Sequence, residues 1–90
     1  MATMKQRIEA RLTAALAPQS LLVVDESHLH AGHGGAREGG ETHFRVTVVS
    51  PAFAGRSRLE RHRMVNEALA AELAERVHAL AIKASAPGEG

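Results

Sequence analysis

Ninety residues, 11 basic and 10 acidic, leave a formal net charge of +1, too even a balance to argue for or against nucleic acid. A chain this short makes one domain with one core and buries roughly 60–65% of its unfolded surface. It holds no cysteine and only two aromatic residues, Phe44 and Phe53, which excludes disulfides, a thiolate nucleophile and an iron–sulfur site built wholly from its own residues, and disfavours a base-stacking platform.

The first residues, Met1-Ala-Thr-Met-Lys-Gln-Arg7, lack the apolar core of a secretory signal, and no run approaches membrane-spanning length. Cytoplasm is the expected compartment. Thr3 to Ala17 reads as a helix: Thr3 and Gln6 have capping-box spacing, Ile8, Leu12, Ala15 and Leu16 form an apolar stripe, and Pro18 stops the run. Leu21 to Ser27 reads as a first strand. A glycine-rich loop follows, with His28, His30 and His33 among Gly32, Gly34, Gly35, Gly39 and Gly40. Connections of this length are usually functional or disordered. The loop is therefore either a working imidazole-bearing element or a solvated hairpin tip. Thr42 to Ser50 is a second strand, with Phe44, Val46 and Val48 alternating against His43, Arg45 and Thr47. That alternation makes His43 a solvated sheet residue rather than a ligand.

Pro51 closes the second strand because it cannot donate to the ladder, and Phe53-Ala-Gly55 turns the chain. A long helix is expected from Ser57 to about Ala74, with Ser57 and Glu60 as a second capping box. Its stripe of His62, Val65, Leu69 and Leu73 makes His62 a partly buried packing residue. Arg56, Arg58, Arg61 and Arg63 crowd its first turns, where the helix dipole disfavours cations. They point to an anionic partner, protein or phosphate, unless Glu60 and Glu67 neutralise them within the helix. Val77 to Ser85 reads as a third strand with His78, Leu80 and Ile82 on one apolar face. His78 there is either simply packed or a shielded, positioned metal ligand. Residues 1–87 make the domain, and 88–90 a short frayed tail.

Helix, strand, loop, strand, helix, strand is the order of a two-layer α+β sandwich whose helices cover one face of a three-stranded mixed sheet. The first two strands pair antiparallel. The third, reached by a helical crossover, runs parallel to the second.

Val24-Asp-Glu-Ser27, the His-Gly loop, Glu41-Thr-His-Phe-Arg-Val-Thr-Val-Val-Ser50, Phe53-Ala-Gly55, Arg61-His-Arg63 and Val77-His-Ala-Leu80 together resemble the BolA family, from about Ile8 to Pro87. The loop is most similar to the subtype with a histidine rather than a cysteine there. The resemblance implies an αββαβ fold of the class II KH-like kind. It also implies a monomer that pairs with a monothiol glutaredoxin, a [2Fe–2S] cluster bridging the two with glutathione and none held tightly by the isolated chain. Carried over, the ligands on this side are His78 and His30, with His33 the close alternative. Two departures stand out. Many relatives continue into a further helix where this chain stops at Gly90, and Gly55-Arg-Ser-Arg58 has only the first glycine of a KH-type Gly-x-x-Gly clamp. The second departure weakens a carry-over of nucleic-acid binding. DNA, held by the four arginines, is the second candidate partner.

An enzyme fits poorly, for no serine sits in a nucleophile elbow and no carboxylates pair. A zinc site from His28, His30 and His33 fits by ligand type, but a loop this rich in glycine does not preorganise it.

Overall fold

The computed structural model describes residues 3–26 and 43–89. His28, His30 and His33, and the readings that fall on them, lie outside the described residues. Helix α1 (Met4–Leu16) begins at the expected capping box: Gln6 N donates to Thr3 Oγ1 at 3.1 Å, and Thr3 N donates to Gln6 Oε1 at 2.9 Å. It ends at Ala17, whose φ of 44° is left-handed, just before Pro18. The buried stripe is Met4, Ile8, Leu12 and Leu16. Ala15, expected in that stripe, is exposed and lines a cleft with Arg11 and Ala68.

Strands β1 (Ser20–Asp25), β2 (His43–Val49) and β3 (Ala79–Ser85) form one sheet with β2 in the middle. β1 pairs antiparallel to β2 with Val23 opposite Val46, and β3 runs parallel to β2 with Ile82 opposite Val46. Strand directions and layering are those expected from the sequence; β1 begins one residue earlier than expected and β3 two residues later. Phe44, Val46 and Val48 are buried on the helix side with Val23, Ile8, Leu12 and Phe53. On the other side no helix among the described residues covers the sheet, and Leu22 and Val24 are exposed.

Ser50 ties the end of β2 to the end of α1. Its buried hydroxyl donates to Leu16 O at 2.6 Å, giving one of the helix's orphan carbonyls a partner, and accepts from Ala52 N at 3.1 Å to start the 3₁₀ turn Pro51–Phe53. Gly55 then takes φ of 73°, a conformation that favours glycine.

The single helix expected over 57–74 is two. α2 (Arg58–Ala68) starts at the Ser57–Glu60 capping box, and α3 (Ala70–Glu75) follows a break at Leu69. Neither proline nor glycine marks the break. Leu69 is buried with φ and ψ of −105° and 16°, and its N–H still reaches Val65 O at 3.1 Å, so the ladder bends rather than stops. Beyond it the carboxylate of Glu72 is buried beneath α1. Arg7 Nη2 donates to its Oε2 at 2.9 Å and Arg11 Nε at 3.4 Å. No helix among the described residues is long and apolar enough to cross a membrane.

Candidate functional site

Two groups of candidate residues sit at the two ends of β3. At its start, the backbone alone brings three segments together. Glu26 N donates to His43 O at 2.7 Å, so the chain leaves β1 and re-enters β2 side by side. His43 is in turn opposite Ala79 in the parallel ladder, which puts His78 one residue upstream of that pair. The 27–42 segment, with its three histidines, therefore departs from and returns to the same end of the sheet as His78.

The expectation that His78 lies on the apolar face of a strand is wrong. β3 begins at Ala79, and just ahead of it Val77 is buried and His78 exposed. Val77 takes the core position, which reverses the alternation counted back from Leu80 and Ile82. His78 is instead beside His43: the ring centroids are 6.5 Å apart and the planes tilted by 39°. His43 is half-buried on the open face of the sheet. Next to it a cleft of about 320 Å³ is lined by Glu26, His43, Arg45 and Ala79 to Ala81. Within it Arg45 Nε meets Glu26 Oε2 at 3.1 Å. The nearness of the two imidazoles has no signal in the sequence, where 35 positions separate them.

At the far end of β3 the four arginines do not act alike. Arg56 pairs with Glu60 at 3.6 Å, the internal neutralisation considered from spacing. Ser57 hydrogen bonds, backbone first, and then Arg56 hold the Glu60 carboxyl below its ordinary range. Arg61 is folded inward. Its Nε donates to Arg56 O at 3.0 Å, Nη1 to Ala84 O at 3.3 Å and Nη2 to Glu89 Oε2 at 2.8 Å. Glu89 lies in the segment expected to fray, and its carboxylate also accepts from Ala86 N at 2.9 Å. Arg58 and Arg63 are exposed and, among the described residues, make no ion pair. Arg58, Arg61 and His62 of α2 with Ile82, Lys83 and Ala84 of β3 line a cleft of about 310 Å³. Lys83 is a cation that the reading of the arginines alone left out.

Residues 12–89 match the family model described as BolA-like protein. The chain belongs to the BolA family. It is 52% identical over 82 residues to mouse BolA-like protein 1, covering 91% of this chain and 57% of that one. A Vibrio cholerae relative named DNA-binding transcriptional regulator BolA is 48% identical over 75 residues, 83% of this chain and 67% of its own. Among solved structures, the BolA domain of SufE1 from Arabidopsis thaliana superposes with a TM-score of 0.89 at 41% identity, covering 100% of this chain and 99% of that one. The BolA fold is thus the α+β sandwich with a three-stranded mixed sheet described above.

Proposed function

We propose that this BolA-family chain is a non-enzymatic iron–sulfur adaptor that pairs with a monothiol glutaredoxin and shares a [2Fe–2S] cluster with it. One observation carries the reading. His78 is exposed at the end of the sheet where the histidine-bearing 27–42 segment leaves and returns. An exposed imidazole on a fixed strand end can reach an iron presented by another molecule, and a chain without cysteine has no thiolate to complete that iron's shell. His78, with His30 or His33 as second donor, would hold one iron. A glutaredoxin cysteine and glutathione would hold the other. Imidazole in place of thiolate leaves such a cluster less negative and raises its potential.

The test mixes the chain with a monothiol glutaredoxin, iron, sulfide and glutathione and records the visible spectrum. The parent gives a spectrum distinct from that of glutaredoxin alone, and His78→Ala removes the difference. An unchanged spectrum and cluster lifetime with His78→Ala overturns the ligand assignment.

A DNA-binding regulator is the second reading, favoured by the cleft that gathers Arg58, Arg61, His62 and Lys83 and by the name of the Vibrio relative. Phosphate contacts release counterions, so affinity falls steeply with salt. Arg58→Ala then weakens binding to all sequences alike and flattens the salt slope by about one unit. Absence of binding at any salt ends this reading.

A further inference from the structure

We infer that His43 and His78 form a two-imidazole binding site for a divalent transition-metal ion, zinc in the first instance, that needs no glutaredoxin. The inference shares His78 with the adaptor reading but does not rest on it.

The scaffold fixes one donor and leaves the other free to turn. His43 is locked in register by the ladder to β3, by the Glu26 N–H on its carbonyl, and by Phe44, whose buried side chain commits its neighbour to the open face. His78 precedes β3, and its exposed side chain has room to change rotamer. The separation of 6.5 Å between centroids is close to what one ion needs. Two Zn–N bonds of about 2.0–2.1 Å each, added to the two ring radii, span nearly that distance when in line and less when bent towards tetrahedral. The spacing is thus compatible with one ion shared by both rings, with the exposed His78 ring the one that turns.

The chemistry selects the class of ion. Neutral imidazole suits zinc, copper and nickel, whereas magnesium and calcium prefer oxygen donors. Among the described residues no group of three or more potential ligand side chains converges, and the nearby Glu26 carboxylate already receives Arg45. Two donors leave the remaining coordination positions to water or to a donor from a second molecule. An ion held there also occupies His78, so zinc and a shared cluster compete for one ring.

The test must silence the loop histidines first. A chain with His28→Asn, His30→Asn and His33→Asn is titrated with zinc chloride by calorimetry, with imidazole ¹⁵N shifts followed by NMR. The expected result is one zinc per chain and shifts confined to His43 and His78. Adding His43→Gln or His78→Gln weakens zinc at least about tenfold, the scale on which lost metal-site interactions are felt, while His62→Gln leaves it unchanged. The ring shifts in the chain that keeps both residues report the site even if a Gln variant folds poorly. No zinc uptake by the loop-silenced chain, or uptake indifferent to His43→Gln, overturns the inference. No iron, thiol or glutaredoxin is present, so failure here leaves the cluster assay standing, and failure there leaves this site standing.

Discussion

The two ends of β3, about 20 Å apart for a seven-residue strand, treat their candidate residues in opposite ways. At the start, His78 points to solvent and its ring neighbour is another imidazole. At the finish, Arg61 is engaged by two backbone carbonyls and a carboxylate. A functional group must keep its bonding capacity for something outside the chain, and a structural one spends it inside. By that measure the exposed His78 keeps its capacity, while Arg61 belongs to the fold and Arg58, Arg63 and Lys83 are the cations left exposed at the basic end.

The comparison breaks outright if β2 loosens, because β2 holds β1 and β3 on either side. Phe44 is buried and next to His43. Phe44→Ala should cost about 3–5 kcal/mol in urea unfolding. It should also disorder the His43–His78 pair, read as loss of any ring-to-ring nuclear Overhauser effect. A variant of near-parental stability would mean that the core does not set this end of the sheet.

Val77→Ala is a finer cut. Val77 is buried immediately before His78 and turns that residue outward. Losing two buried methylene equivalents should cost about 1–2 kcal/mol. Amide exchange should quicken at Ala79 more than at Ser85, at the opposite end of the strand. Equal quickening at both ends would show that Val77 supports the sheet as a whole rather than the placement of His78.

These residues also mark what could be read in advance. Both capping boxes, the alternation in β2 and the strand directions follow from local chemistry, and they stand as read. A period of two carried one residue past the true start of the strand misplaces His78, because Val77 claims the core there. The nearness of His43 depends on the β2–β3 register, a tertiary fact that no local pattern encodes. Spacing alone groups Arg61 with its neighbours, because its partners, Ala84 O and Glu89, lie 23 and 28 positions away. The bend at Leu69 has no breaker residue to announce it. Local spacing thus gave the elements, and the contacts between elements decided which charged and imidazole groups remain available.

His78→Ala sharpens the comparison from the functional side. An exposed side chain outside the core should change stability by less than about 0.5 kcal/mol, measured by urea midpoint. Its loss in the cluster assay then reflects ligation and not unfolding. A larger destabilisation would place His78 among the structural residues and remove the contrast with Arg61.

The smallest effect lies at the other end and depends on pH. The Arg61 guanidinium, and after it the Ala86 N–H, hold the Glu89 carboxyl down from its ordinary 4.5 to about 2. Arg61 is raised by the same contact and stays charged throughout. A carboxyl depressed on folding stabilises the fold above its unfolded value and loses that contribution as pH falls through the folded one. The clamp is therefore complete above 4.5 and is withdrawn progressively down to about 2. Glu89→Gln lacks the charge at every pH. It should be the less stable chain at neutral pH, with a gap that narrows below 4.5 and closes near 2. The depressed carboxyls of Glu60 and Glu75 are common to both chains and drop out of the difference. Urea midpoints of the pair across this range test it directly. A gap of constant size down to the lowest pH would mean that Glu89 acts through packing or its Ala86 hydrogen bond alone, and that Arg61 is freer for an outside anion than its contacts imply.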